Sequence, residues 1–446
     1  MSQPHKPSLK KSDNKTGLEY HTFGCKVNTY DTGLIQKELT DLNVNKKVHI
    51  LNTCAVTNEA TKDAVRLSRK LKKNDPDSLV VVTGCSAQID KEMFDLDNTV
   101  DLLVANSHKD QLKELLIKKI EGVKLEKFYH KNIFKQSTLG EGGGLEESHS
   151  RSFLKIQDGC NSFCSFCVIP HTRGLSRSLE LKHLIEKIKN FVLMGKKEVV
   201  LTGIHLGDYK DTKGNRLEEM IEAVLEQTNL PRLRLTSLEP LELTDRIIEL
   251  SKNPRFCSHF HMSVQSVNTK ILKRMKRTYT KEDVLDSFKR AKEANADTYI
   301  GMDVIVGFPG ETEKDFEETH SALENSPHWD RIHVFPYSER PKTGALRYTE
   351  DSVPIVERKR RSKALRQLSK ERFDQSLKNQ VGNELDVLVL ENKEKSRNNM
   401  QGLTKNYWPV IFVESVDLKP HQLVKAKIID FDTSLKSFGA LIAQAF

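Results

Sequence analysis

At 446 residues the chain is too long for one ordinary domain, and roughly two to four units, each burying its own core, are expected. Gly 22 and Pro 14 exclude collagen-like and low-complexity chains, and no apolar run of about 18 residues offers a membrane span. Lys and Arg number 71 against 62 Asp and Glu, a net charge of +9 so mild that its placement matters more than its size.

Residues 1–16 are polar and basic without the apolar core of a secretory signal, and read as a disordered tail. From Leu18 strands and helices alternate: LEYHTFGC, a helix from Asp31 to Leu39, VHILNTC, a basic helix from Asn58 to Lys73, SLVVVTGC, and a helix from His108 to Ile120. Short apolar runs ahead of longer helices predict an open parallel α/β domain over 17–137. The Gly-rich stretch 138–150 reads as a linker.

A second series follows at 152–157, 198–203, 232–237, 259–264, 299–308 and 331–336. Six βα repeats predict a partial (β/α)6 barrel over 151–376, shorter than the usual eightfold form, left by a charged helix near Pro354 to Leu377. Residues 377–446 turn to short alternating segments, ELDVLVLE, WPVIFVES, LVKAKIID and GALIAQAF, and predict a small all-β domain. Basic residues concentrate at Lys6 to Lys15, Lys62 to Lys73, Lys270 to Lys281 and Arg358 to Lys378, which together suggest a polyanionic partner.

The seven cysteines are too few for a disulfide scaffold and odd in number, so a reducing cytoplasm with thiolates as metal ligands is expected. Cys160, Cys164 and Cys167 form a C-x3-C-x2-C run after the first expected barrel strand, the end where barrels place their chemistry. Three thiolates leave one position open on a tetrahedral zinc or on one iron of a [4Fe–4S] cube. A zinc knuckle completed by His171, or a buried structural trio, is the competing reading.

Cys25, Cys54 and Cys85 lie 29 and 31 residues apart, and each ends an apolar strand. Carboxyl ends of parallel strands share one edge, so these thiols could meet there. The alternative is three inert core cysteines. Cys257 has no cysteine neighbours and reads as structural. His171 and His205 read as hydrogen-bonded structural residues, and Arg173 as a contact to a cofactor or substrate phosphate, or a surface ion pair. No residue stands out as a catalytic acid or base.

The C-x3-C-x2-C pattern resembles the signature of the radical S-adenosylmethionine enzymes. Thr202-Gly-Ile-His-Leu-Gly207, Ser263-Val-Gln265 and Asp303-Val-Ile-Val-Gly-Phe-Pro309 fall at ends of expected strands. There the resemblance implies cofactor contacts at Gly203, Gln265, Asp303 and Gly307. More specifically, Thr22-Phe-Gly-Cys-Lys-Val-Asn28, Asn52-Thr-Cys-Ala-Val-Thr57, Thr83-Gly-Cys85, Cys160 to Ser178 and Phe335-Pro-Tyr-Ser338 resemble the methylthiotransferases over about residues 18–446.

That resemblance implies two [4Fe–4S] clusters, one on Cys160, Cys164 and Cys167 and an auxiliary one on Cys25, Cys54 and Cys85. It implies S-adenosylmethionine as cofactor and an RNA-binding TRAM module at the C-terminus. It also implies a reducing system, a sulfur donor, no membrane and a monomeric cytoplasmic protein. Cys25-Lys26-Val27-Asn28 and Arg173-Gly-Leu-Ser-Arg-Ser178 resemble the branch that converts N6-threonylcarbamoyladenosine 37 of the tRNA anticodon loop to its 2-methylthio form. The same chemistry on isopentenyladenosine 37 or on a ribosomal-protein aspartate is the alternative, with a non-enzymatic iron–sulfur RNA-binding protein behind both. Pro341-Lys-Thr-Gly344 departs from the expected Pro-Gly-Thr, and the last seventy residues carry nine basic against eight acidic groups. A tRNA grip there would be a local patch, with helix 358–378 adding charge.

Overall fold

The three strands expected in the first third of the chain, ending at Cys25, Cys54 and Cys85, belong to one sheet. The computed structural model describes residues 8–9, 17–94, 99–136, 139, 150–393, 399–413, 418–434 and 439–445. They fall into two compact units, the first comprising Met1–Glu146, Gln157–Leu179 and Ser338–Leu346, the second Glu147–Ile156, Glu180–Tyr337 and Arg347–Phe446. Among the described residues no helix is long and apolar enough to cross a membrane.

The first unit runs β1 (Ser8–Leu9), β2 (Leu18–Thr22), α1 (Lys26–Glu38), β3 (Val48–Thr53), α2 (Asn58–Asn74) and β4 (Leu79–Gly84). It continues through α3 (Cys85–Ile89), β5 (Leu102–Ala105), α4 (Leu112–Ile120) and β6 (Phe128–Tyr129). The strands lie in chain order in one sheet, parallel throughout except for β1 on β2. Every residue of β3 and β4 is buried, as in a sheet covered on both faces. Leu18, Val48, Ile50, Val81 and Val104 pack with Ile35 of α1 and with Leu112, Leu115 and Leu116 of α4. The alternate residues Leu51, Val80, Val82 and Leu103 pack with Ala60, Ala64 and Val65 of α2.

The tail expected to be disordered supplies β1, with Ser8 opposite Thr22 and Leu9 opposite His21. A short strand is available there because β2 would otherwise present an open edge. The rest of the tail, and the linker apart from residues 139 and 150, lie outside the described residues.

The barrel series opens with β7 (Ser152–Lys155). The chain then contributes β8 (Gln157–Asp158), α5 (Ile169–Arg173) and β9 (Arg177–Ser178) to the first unit before resuming the second. There follow α6 (Leu181–Leu193), β10 (Glu198–Thr202), α7 (Leu217–Gln227), β11 (Arg232–Leu235), β12 (Ser237–Leu238), α8 (Asp245–Ser251) and β13 (His259–Gln265). After these come α9 (Thr269–Arg274), α10 (Lys281–Ala294), β14 (Tyr299–Val306), α11 (Glu313–Asn325), β15 (Arg331–Pro336) and α12 (Ile355–Lys378). Sheets β11-β10-β7 and β12-β13-β14-β15 are parallel throughout. The third expected strand is divided at Thr236, so its halves β11 and β12 fall in different sheets. All six expected strand positions are present.

The chain ends in a closed antiparallel-rich barrel of β16 (Glu384–Lys393), β17 (Met400–Thr404), β18 (Pro409–Phe412), β19 (Leu423–Asp432) and β20 (Ala440–Ala445), in the order β16-β17-β18-β20-β19. Closure leaves no exposed edge. Trp408 packs on Phe373 of α12 and on Tyr299 of β14, at centroid separations of 5.5 and 4.8 Å. Arg232 donates to the Asp386 and Leu403 carbonyls at 2.7 and 3.2 Å, tying this barrel to the first residue of β11.

Candidate functional site

Strand register brings the first three cysteines to one edge. Thr22 pairs with Asn52 and Thr53 with Gly84, so the carboxyl ends of β2, β3 and β4 lie side by side. Cys54 directly follows β3, Cys85 opens α3 directly after β4, and Cys25 comes three residues after β2. Neighbouring strands are about 4.8 Å apart, and the thiols sense one another. Burial pushes the Cys54 thiol up to about 12, with Cys25 and Cys85 adding to the rise. Cys25 is also raised by desolvation, against the pull of Arg173. Burial therefore works against thiolate charge on Cys25 and Cys54, and a cation among the sulfurs would offset it.

Two glycines permit this approach. Gly24 has φ +89°, and a Cβ there would stand 2.6 Å from Cβ and Sγ of Cys54. Gly84 has φ +95°, and its Cβ would stand 2.5 Å from the Thr53 carbonyl. Side-chain amides lock the loops. Asn28 donates to the Phe23 and Thr53 carbonyls, both at 2.9 Å, and Asn52 donates to the Asn28 carbonyl at 2.9 Å. Asn52 Oδ1 is buried without a hydrogen-bond partner among the described residues.

The second trio lies in the same unit. The Cys160 N–H donates to the Gly174 carbonyl at 3.1 Å and the Cys167 N–H to the Cys164 carbonyl at 2.9 Å. The Ser162 N–H points at Cys160 Sγ across 3.4 Å, a donor that would favour charge on the sulfur. Phe163 adopts φ +45° and stacks at 6.2 Å on Phe134, while His171 meets both rings edge-on. His171 is thus packed against two aromatic rings. Val168 packs with Ala55, Cys85 and Ile89, and Asn106 donates to the Thr172 carbonyl at 2.9 Å while lying 3.7 Å from Cys85 Sγ. The segment after Cys167 is therefore seated on the loop that carries Cys85.

Arg173 is neither a surface residue nor open to a phosphate. Its side chain is 2% exposed. One nitrogen donates to both Asp158 oxygens at 3.0 and 3.1 Å, and the other donates to Asn28 Oδ1 at 2.5 Å and Asp31 Oδ2 at 3.1 Å. Its charge also acts on Cys25, Cys54 and Cys85. Spacing could not reveal this, because Asn28 and Asp31 precede Arg173 by more than a hundred residues.

The residues expected to hold the cofactor belong to the second unit. Gly203 follows β10, and Gln265 ends β13 with φ +67° beside a register shift. Asp303 sits on β14 between two imidazoles, 2.9 Å from His261 Nε2 on β13 and 3.4 Å from His333 Nδ1 on β15. Burial alone would raise its pKa, yet the two histidines hold it well below the usual carboxylate range. Sequence reasoning missed both histidines, although their alternate positions on neighbouring strands carried the signal. Gly307 has φ +71°, its N–H donates to Glu311 at 2.6 Å, and the stem of Arg358 fills the space a side chain would take. Its missing side chain accommodates α12. His205 is hydrogen-bonded to Glu242 and lies 3.3 Å from Asp208. Cys257 is buried with its thiol raised to about 11 by desolvation.

Comparison with known proteins covers most of the chain. The Radical SAM superfamily model matches residues 154–323, and the model described as Uncharacterized protein family UPF0004 matches residues 18–105. The chain is 35% identical to the threonylcarbamoyladenosine tRNA methylthiotransferase MtaB of Rickettsia prowazekii, over 94% of this chain and 96% of that one. It is 35% identical to the Bacillus subtilis protein of the same name over 92% and 93%. Identity to the tRNA-2-methylthio-N(6)-dimethylallyladenosine synthase of Buchnera aphidicola is 33% over 88% and 92%. Among solved structures, the radical S-adenosylmethionine methyltransferase TsrM of Kitasatospora setae superposes with TM-score 0.52 at 12% identity, covering 71% of this chain and 73% of that one. That likeness concerns the fold.

Proposed function

The chain belongs to the radical S-adenosylmethionine methylthiotransferase family, and on that premise we propose that it converts N6-threonylcarbamoyladenosine 37 of tRNA to its 2-methylthio derivative. The observation that carries this reading is near-full-length similarity to two relatives bearing that name. The Cys25-Lys26-Val27-Asn28 run, with Asn28 held by Arg173, supports it.

As a member of this superfamily the protein uses a [4Fe–4S] cluster and S-adenosylmethionine. We assign the cluster to Cys160, Cys164 and Cys167, and a second cluster to Cys25, Cys54 and Cys85. The residues fit such groups: two sets of three thiols, one set in mutual electrostatic reach, and a backbone N–H aimed at Cys160 Sγ. Bound together, clusters and cofactor supply the radical chemistry that an unactivated aromatic C2–H demands, and sulfur for its replacement. The protein's part is positioning. Gly24 and Gly84 let the loops close, Asn28 and Asn52 fix them, and Arg173 offsets negative charge on the sulfurs. Gly203, Gln265, Asp303 and Gly307 are the proposed cofactor contacts.

The domains we propose are 17–137, 151–376 and 377–446, the last a TRAM-like RNA-binding module. A monomeric cytoplasmic enzyme supplied by a reducing system and a sulfur donor completes the reading. An anticodon-loop base suits such a site, because it can leave its stack more easily than a duplex base.

Mass spectrometry of tRNA nucleosides from cells lacking the chain tests the proposal. Loss of 2-methylthio-threonylcarbamoyladenosine is expected, and its persistence would overturn the assignment. Similarity to the Buchnera synthase favours dimethylallyladenosine as a second substrate reading. Reconstituted enzyme given tRNA carrying one or the other hypomodified base separates the two.

A further inference from the structure

Helix α2 has a basic face opposite its buried side. Ala60, Thr61, Ala64, Val65 and Ser68 bury one side of the helix, while Lys62, Arg66, Arg69, Lys70 and Lys73 are all exposed. At 100° per residue these five side chains fall within a sector of about 100° opposite the buried side. From Ala64 to Asn74 the helix contains no acidic residue. Lys62, Lys70 and Lys73 have no ion-pair partner among the described residues. Arg66 contacts Glu59 and Asp63 at 2.7 Å yet stays 60% exposed.

The basic stretches at 270–281 and 358–378 differ. Lys270 pairs with Asp315, Arg274 with Asp351, Arg277 with Glu239 and Lys281 with Glu318. On α12, Arg360 and Arg361 pair with Glu313, Lys370 with Asp374, and Arg366 and Arg372 donate to backbone carbonyls. Their charge largely holds the fold together.

We propose that the outer face of α2 is a contact surface for the phosphate backbone of RNA, resting on the tRNA reading above. The helix starts four residues after Cys54, so the stripe leads away from the edge where Cys25, Cys54 and Cys85 converge. A strand whose base is drawn to that edge can continue its backbone along α2. From Lys62 to Lys73 the axial rise is ~16 Å, the length of several consecutive phosphates. Lysine and arginine there read charge and spacing rather than bases, so the grip is independent of sequence.

The test is tRNA binding by the reconstituted full-length protein at a series of salt concentrations, for wild type and the triple variant Lys62→Gln/Lys70→Gln/Lys73→Gln. The variant should bind at least about tenfold more weakly at low salt, and its log K against log salt slope should be shallower by about two. A triple Lys→Arg variant should keep both. Iron content and tRNA-independent cleavage of S-adenosylmethionine should match wild type, which shows that the variant is folded. An unchanged slope and affinity would overturn the inference alone. A wild-type protein that does not bind tRNA would overturn the functional reading and the inference together.

Discussion

The hydrogen on the α-carbon of residue 24 decides whether two of the first-unit thiols can share an edge. With φ at +89° and Cys54 Sγ 2.6 Å from where a Cβ would stand, any other residue pushes the loops apart. Gly24→Ala should therefore lose the cluster proposed on Cys25, Cys54 and Cys85, cutting iron per chain by about half. Cleavage of S-adenosylmethionine at the Cys160 trio should remain; full iron content would refute this role. Arg173 acts through charge. Its guanidinium is enclosed by Asp158, Asp31 and Asn28, so Arg173→Met leaves Asp158 to Arg177 at 4.0 Å and Asp31 to Lys109 at 3.0 Å, at a cost of about 3 kcal/mol. Thermal unfolding reports that loss. Arg173→Lys should recover part of the stability, and protein film voltammetry of that variant reports any effect on the cluster potential. The six cysteines were legible because thiol spacing and strand ends are local patterns. Arg173 was not, because its partners are brought to it by folding.

Between neighbouring strands, β2 and β3 enclose a pair of imidazoles. His21 Nε2 lies 3.3 Å from His49 Nδ1, both side chains are 2% exposed, and Glu19 approaches His49 at 3.1 Å. Desolvation and the neighbouring imidazole lower His21 from 6.5 to about 4, so the folded protein holds it neutral. The unfolded chain takes up a proton on His21 near pH 6.5 and the folded one only near 4, so between these values the unfolded state binds more protons. Stability therefore falls as pH falls through that window, by about 3 kcal/mol for His21 alone when pH 4 is reached. Thermal midpoints at pH 7.5 and 5.5 should show the loss, and His21→Leu should flatten it; an unchanged pH dependence in the variant would count against a buried neutral imidazole. Among the first-unit strands β4 was legible from four apolar residues in a row, Leu79 to Val82. β6, with two residues, and β17, the mixed MQGLT, offer too little alternation, and their place is set by pairing with β5 and β16. The division of the third barrel strand at Thr236 leaves no mark in composition, since residues on both sides suit a strand.

Across the whole molecule, a net charge of +9 says little because so much of it is internal. Stretches that look like a polyanion surface in the sequence turn inward to Glu311, Asp315 and Glu239, and pairing that distant is invisible to a residue count. The deepest such pair is Glu198 with Arg234, both fully buried, joined at 2.8 and 3.1 Å. Burial works to raise the Glu198 pKa, but the charge and hydrogen bond of Arg234, with the charges of Arg151 and Arg232, together hold the carboxyl below its ordinary value. Arg234 also donates to the Thr404 carbonyl at 3.4 Å and lies over the Tyr407 ring at 4.9 Å, so this ion pair braces the C-terminal barrel against β11. Glu198→Gln leaves the Arg234 charge uncompensated in the interior, a cost of about 3–5 kcal/mol. The expected result is a lower thermal midpoint and faster proteolysis near Asn379 to Asn383, where α12 passes into β16. Glu198→Met/Arg234→Met removes both charges and should regain part of the lost stability, because an apolar pair of similar size leaves neither of these two ions unpaired. If the single variant unfolds where wild type does, the ion pair is not what braces the two barrels, and the Trp408 contacts with Tyr299 and Phe373 must carry the junction instead.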